Sequence, residues 1–467
     1  MKMWSGRFRQ PLDAEFERWQ RSFPFDQKLL SQELAASRAH AHALRSAGVL
    51  SEAELHAIIG GLETIGRRAR EEAGYLADED AEDVHHFVER ELAAAIGETG
   101  LKLHTGRSRN EQIATDLRLF VRDAIDQFRA LLAELIGEFI AQAELANTAA
   151  IPAYTHTQRA EPVLVGHWLL AYVEMLFRDA ERLADCRKRV NLCPLGSGAV
   201  AGATLALDRS AMAAELGFDT PTANSIDATS DRDFAIEFVQ ALSLLAVHLS
   251  RWAEEMVLFS TQEYGFVVLP DAYSTGSSAM PQKKNADALE LVRGKSGRVI
   301  GTATALLVIN KGLPLAYDKD MQETQEPVFD AAQTMIAVLR IARGFMRTVT
   351  FDIERMQAAA SKGFMNAMAA ATYLVGRGVP FRRAHEQVGK AVQFCIEKGC
   401  ELQDLPLDEL RQFSLDFAKD VYKHLTLEAV LACHDVAGGT APQQVRKSLA
   451  AARRRLAGIQ GEVHAHA

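Results

Sequence analysis

Proline is scarce in this chain, 13 among 467 residues, so few positions forbid a helix from continuing. No low-complexity tract or evident short repeat appears, which excludes fibrous and disordered classes. The five cysteines (Cys186, Cys193, Cys395, Cys400, Cys433) contain no C-x-x-C pair and leave an odd count. That pattern speaks against a disulfide framework or a zinc knuckle and fits a reducing compartment. No window approaches the roughly 18 uninterrupted apolar residues of a membrane span. The opening MKMWSGRFRQ carries charge and an early Trp where a signal peptide needs an apolar core. We therefore expect a cytoplasmic protein without a membrane partner. Positive charge is also in deficit. A net charge of -9 argues against nucleic-acid partners, which need a broad positive field. With no H-x-x-x-H or H-E-x-x-H spacing and no glycine-rich phosphate loop, we expect neither metal nor cofactor.

What is present is a globular composition, 48% hydrophobic and 24% charged, in a chain too long for one ordinary core. Apolar residues recur at helical spacing. A helix is expected from about Asp26 to Ala47, and another after Ser51, where Glu54 completes a capping box. From Glu111 the residues Ile113, Leu117, Phe120, Ala124, Phe128, Leu131 and Leu135 step by three or four, with no proline until Pro152. This predicts one helix of about 35 to 40 residues. Others are expected from about Glu161 to Val190, Asp231 to Thr261, Ala286 to Lys311 and Glu326 to Arg347. The expected fold is all-α, with three helical domains: 1–110, carrying binding loops; 111–360, a central bundle of five long helices; and 361–467, a smaller domain ending in a frayed polar tail. Leu119, Val121, Ala246 and Val247 lie off the main seams, so bundles from several copies are expected to pack together.

Four distant segments share a polar, small and cationic composition at the ends of apolar helices: HTGRSRN (104–110), YTHTQRAEP (154–162), LGSGAVAG (195–202) and TGSSAMPQKKN (275–285). Read as loops, they could converge into one pocket. His156, flanked by Thr155 and Thr157, is the best acid/base candidate, since histidine titrates near neutrality; the alternative is a capping or surface histidine. His85 and His86 share a helix with Asp83 and Glu89, and solvated pairs account for them equally well. Ser277 with Lys283 has the residue types of a hydrolytic Ser/Lys dyad, although no G-x-S-x-G elbow accompanies them. Lys283 and Lys284 could equally be solvated surface charge.

TGSSAMPQKKN, with the Glu290 that follows, resembles the G-S-S-x-M-P-x-K-x-N signature of the fumarase/aspartase superfamily. Within it, MWSGRF, EDVHHFVE, LHTGRSRN, AYTHTQRAEP, NSIDATSDRDF, LAYDKDMQE and YLVGRGVPFRRAHEQVGKAV are similar to the argininosuccinate lyase family and its lens delta-crystallin relatives, over nearly the whole chain. The resemblance implies a homotetramer with active sites shared between subunits. It also implies cofactor-free, reversible elimination of arginine from argininosuccinate to leave fumarate, through an aci-carboxylate carbanion. By that pattern Ser277 is the general base, Lys283 and Asn285 stabilise the intermediate, and His156 with Glu290 forms a His–Glu pair. Ser22, Ser108, Arg109, Asn110 and Thr155 match positions holding the fumarate-side carboxylates. Arg232, Tyr317 and Gln322 match those near the arginine portion, and Asp83 with His85 a further polar cluster. Two departures stand out: Gln325 replaces a family lysine, and Ala369 an aspartate. Another superfamily lyase and a catalytically silent scaffold are the remaining alternatives.

Overall fold

A computed structural model describes residues 10–466; the MWSGRF segment lies outside them. Helices dominate. We label α1 (Leu30–Ser46), α2 (Glu52–Glu71), α3 (Val84–Ile96), α4 (Arg109–Ala146), α5 (Val165–Val190), α6 (Asp233–Phe259), α7 (Asp287–Asn310), α8 (Gln325–Thr348), α9 (Ala367–Gly376), α10 (Phe381–Lys398) and α11 (Pro442–His466). Helix α4 runs 38 residues, or about 57 Å at 1.5 Å per residue. The all-α class and the five long helices α4 to α8 are as the apolar spacing predicts. The capping box before α2 is also present, with Ser51 N–H donating to Glu54 at 2.8 Å.

The chain divides into two compact units, each assembled from several segments: residues up to Phe128 with Glu181–Ala246 and Gly297–Ile336, and Arg129–Ala180 with Val247–Ser296 and Ala337 onward. In the first, α1, α2 and α3 bury Leu44, Ile58, Leu62, Phe87, Val88 and Leu92. Phe23 stacks on Phe87 at 5.0 Å. A second apolar cluster joins Ala39 and Ala43 of α1 to Leu119 of α4 and to Cys193, Leu195, Met212 and Phe218.

In the second unit the core is a run of aromatic contacts: Phe139 to Trp252 at 5.9 Å, Trp252 to Phe345 at 5.6 Å, and Trp168 to Phe259 at 5.5 Å. Such aromatic pairs, the first two edge-on, add to the apolar burial. A separate cluster between Ala370 and Leu425 holds α9 and α10 together.

Three expectations need correction. Leu119, Val121 and Ala246 are buried within the chain, at 4%, 0% and 0% exposure. Their helices are apolar on more than one face because neighbours cover more than one face. Val247 is exposed, and Leu244, Leu258, Leu291, Leu307 and Val308 with it. The tail is no frayed coil: α11 buries Val445, Ala452 and Leu456, and Arg453 and Arg455 pair with Glu144 and Glu174 at 2.6 and 2.8 Å. Thirdly, the YTHTQRAEP segment is an antiparallel hairpin, with β1 at Ala150–Thr155 and β2 at Gln158–Leu164. It displaces the start of α5 to Val165. By length and composition α6 could cross a membrane, and half of its apolar window is buried inside the chain.

Gly344 of α8 marks the closest approach in the second unit, since a Cβ there would lie 1.8 Å from the Tyr273 hydroxyl. Gly389 in α10 faces open space. Calorimetry should therefore separate two chemically identical substitutions. Gly344→Ala should lower the melting temperature, with a cost of about 1–3 kcal/mol from overpacking. Gly389→Ala should raise it, by about 0.5–1 kcal/mol of helix propensity.

Candidate active site

In the first unit, the start of α3 and the start of α4 are held by one carboxylate. Asp83 is the N-cap of α3, where its Oδ1 accepts the His86 N–H at 2.6 Å. Its Oδ2 lies 3.2 Å from Nε of Arg109, in the first turn of α4. Arg109 also donates to Gln112 at 3.3 Å. Ser108 precedes the helix, donating its N–H to Glu111 and accepting from the Asn110 N–H at 3.1 and 3.3 Å. The second oxygen of Glu111 accepts the Gly198 N–H at 2.8 Å, which ties in the LGSGAVAG segment.

Ser22 enters through Asp26. Its hydroxyl donates to Asp26 at 2.6 Å, while the other Asp26 oxygen accepts the Val84 N–H at 3.0 Å. Burial first, then repulsion from Asp83, pushes the Asp26 carboxyl up to about 7. Burial also acts to raise Asp83, but Arg109, His85 and the His86 N–H outweigh it and hold that carboxyl below its ordinary value. The two neighbouring acids are thus driven apart in charge, the arrangement found where one must hold a proton and the other must not.

His85 is buried, with Nδ1 2.8 Å from Glu33 Oε2 and 3.5 Å from Asp116 Oδ2. Glu33, His85 and Asp116 lie close enough to hold a cation. Glu33, however, is already engaged by Ser37 and Gln112, and the Arg107 guanidinium stands 3.8 Å away. Arginine supplies the positive charge there. Residues 33 and 116 were missed by sequence reasoning because nothing in their spacing links them to 85.

Arg232 is 2% exposed, and NH1 donates to the Asp231 carbonyl at 2.7 Å, while Nε and NH2 have no hydrogen-bond partner among the described residues. A buried guanidinium with open donors suits an anionic ligand. Burial pushes the Tyr317 hydroxyl up to about 12, opposed by Arg232. Gln322 donates to the Gln20 carbonyl at 3.1 Å. Gln325 opens α8 and is buried, its Oε1 without a hydrogen-bond partner among the described residues. Nothing in the structure explains Ala369.

In the second unit, His156 and Thr157 form the hairpin turn with φ of 54° and 58°. Neither is glycine, so both sit in a strained left-handed conformation of the kind stored at functional sites. Thr155 pairs with Gln158, and His156 and Thr155 are exposed. The signature segment is a second short hairpin, closed by Thr275 pairing with Asn285 and Gly276 with Lys284. Its tip is exposed. There Ser277 Oγ accepts the N–H groups of Ala279 and Met280 at 3.2 and 3.1 Å. Lys284 is anchored to the Leu269 carbonyl and to Asp271. The Lys283 side chain is exposed, as is Glu290 in the first turn of α7. No hydrogen bond or ion pair joins His156 to Glu290 among the described residues.

Residues 6–301 match the family described as Lyase, and residues 364–432 the argininosuccinate lyase C-terminal family. The argininosuccinate lyase of Koribacter versatilis (strain Ellin345) is 62% identical over 99% of both chains. That of Acidobacterium capsulatum is 58% identical over 97% of this chain and 95% of its own. Among solved structures, an EDDS lyase variant with bound fumarate superposes with a TM-score of 0.85 at 26% identity, covering 98% of this chain and 92% of that one.

The Asp26 carboxyl gives the site a pH signature. Its folded value, about 7 against 3.8 unfolded, means the folded state holds a proton that the unfolded state gives up. The associated stability is present below about pH 4 and lost as pH rises through 7. Asp26→Asn should therefore flatten the fall in melting temperature between pH 4 and 7, measured against wild type in the same buffers.

Proposed function

The chain belongs to the argininosuccinate lyase family, within the fumarase/aspartase superfamily, and we propose from that premise how its residues carry out the reaction. The enzyme is a carbon–nitrogen lyase that cleaves argininosuccinate reversibly to arginine and fumarate. Removing a proton beside a carboxylate loads a second negative charge onto that group. The aci-carboxylate intermediate therefore forms only where donors and cations are already in place.

One observation carries the assignment of Ser277 as base: its oxygen already accepts two backbone N–H groups. A serine hydroxyl is far too weak an acid to ionise unaided, and two converging N–H dipoles are what an alkoxide requires. Lys283, on the same hairpin and exposed, brings a cation to the developing dianion, and Asn285 adds an amide donor. His156, oriented by Glu290, protonates the departing guanidino nitrogen. Ser22, Ser108, Arg109, Asn110 and Thr155 hold the fumarate-side carboxylates. Arg232, Tyr317 and Gln322 receive the arginine portion, with Asp83 and His85 beside them. The open donors of Arg232 support this division.

The division into 1–110, 111–360 and 361–467 is likewise proposed, supported by the self-contained apolar cluster between Ala370 and Leu425. So is a cytoplasmic setting, supported by five free cysteines. We propose further that four copies assemble and that each active site draws on more than one of them. Exposed Leu244, Val247 and Leu258 on α6, and Leu291, Leu307 and Val308 on α7, supply apolar surface for such contacts. An exposed His156 and an exposed Glu290 that do not meet within the chain suit a pair completed by another copy.

Formation of fumarate from argininosuccinate, followed by its absorbance, tests the activity. Ser277→Ala should lower turnover by orders of magnitude while substrate still binds. Lys283→Met should weaken binding as well. Comparable turnover in Ser277→Ala would remove Ser277 as base. Light scattering on the eluting protein should give the mass of four chains, and a monomer at micromolar concentration would overturn the shared site.

A further inference from the structure

Helix α1 carries a polar stripe through a buried face. Glu33, Ser37 and His40 follow one another at helical spacing, and all three are at most 1% exposed. A fully buried carboxylate is expensive unless every lone pair is used. Glu33 uses them: one oxygen accepts from Ser37 at 2.6 Å and from Gln112 at 3.2 Å, and the other from His85 Nδ1 at 2.8 Å. Ser37 is in turn held by Arg107, whose guanidinium donates to it at 2.9 Å. These partners come from α1, α3, α4 and the HTGRSRN segment, so four sequence regions converge on one carboxylate.

Asp116 lies one turn beyond Gln112 on α4, fully buried, and among the described residues neither of its oxygens accepts a hydrogen bond. Burial and the adjacent Glu33 drive its carboxyl far above the ordinary value, so it stands as a neutral acid facing Glu33. Burial also acts to raise Glu33, but His85 and Arg107 reverse the effect and keep it ionised. The pair therefore presents a single negative charge to the His85 ring. The charged or titratable groups facing that ring are Glu33, Asp116, Asp83 and Asp26.

We propose that Glu33, with Asp116 beside it, is the positioning residue for His85: it takes the Nδ1 proton as a hydrogen bond and leaves Nε2 as the ring nitrogen available to substrate. The inference rests on the reading of His85 as a substrate-site residue. It goes beyond that reading by assigning the ring's orientation and tautomer to a residue that touches no substrate. The Arg109 contact of Asp83 and its cap on α3 place Asp83 beside His85, and a ring free to rotate would exchange the Nε2 lone pair for a C–H against the substrate.

The test is a double-mutant cycle on kcat/KM for argininosuccinate cleavage, using Glu33→Gln, His85→Asn and the double variant in the full-length protein. Glu33→Gln should lose at least tenfold, and the double variant should be no slower than His85→Asn alone, because Glu33 acts only through the ring. Multiplying losses would overturn the proposal while leaving His85 in the site. If His85→Asn retains wild-type activity, the site reading itself falls. A second measurement needs no Glu33 variant. Solid-state NMR of ¹⁵N-histidine-labelled protein, assigned by difference with His85→Asn, should show a proton on His85 Nδ1. A ring protonated on Nε2 alone would overturn the proposal even if Glu33→Gln failed to fold.

Discussion

One carboxylate joins the ends of two helices in this protein. Asp83 caps α3 through one oxygen and holds Arg109, in the first turn of α4, through the other. The first turn of any helix leaves N–H groups without partners, and an acidic cap there is worth about 1 kcal/mol. Here the same interaction also fixes where two polar segments stand, EDVHH and HTGRSRN, which are otherwise separated by a whole helix. Arg109 is held from a second side by Gln112, to which it donates at 3.3 Å. With both contacts, the guanidinium is preorganised beside Ser108 and Asn110.

Preorganisation of this kind has an electrostatic cost, and the first unit meets it by alternating charge states. Asp26 and Asp116 are pushed toward the neutral acid, while Glu33 and Asp83 are kept ionised by His85, Arg107 and Arg109. Four ionised carboxylates in that volume could not be sustained. Two ionised acids among histidine and arginine can be. The result is a buried network with few internal freedoms, which is what a site binding a multiply charged substrate needs if it is not to reorganise during reaction.

The long helices were legible because proline is rare and the apolar spacing is uninterrupted: α4 begins within two residues of the expected Glu111 and ends before Pro152. Burial was harder to read. Leu119, Val121 and Ala246 look like outward-facing residues on a helical wheel, yet the chain covers those faces itself. The β1–β2 hairpin was missed because its turn, His156–Thr157, lacks the glycine or asparagine that usually marks two consecutive left-handed residues. That absence is informative in reverse. A turn made from residues that resist its geometry points to a role for their side chains rather than for the fold. Glu33 and Asp116 were invisible for a different reason, since their relation to His85 exists only once three helices are packed.

The two lysines of the signature hairpin show how structure divides what composition leaves equivalent. Lys284 is part of the ladder that closes the hairpin, and its ammonium group is anchored to Asp271 and the Leu269 carbonyl. It is spent on holding the base of the loop. Lys283 is one residue nearer the tip, its N–H bonded to the Met280 carbonyl at 3.0 Å, and its side chain is exposed. The same short turn thus brings an exposed cation and a serine oxygen already facing two N–H donors onto one tip. An alkoxide and a dianion need the same surroundings, N–H dipoles and positive charge, at successive moments of one reaction. In the proposed mechanism a tip held at its base by Lys284 can serve both, because the donors that would stabilise a serine alkoxide before proton transfer lie beside the charge that would appear after it.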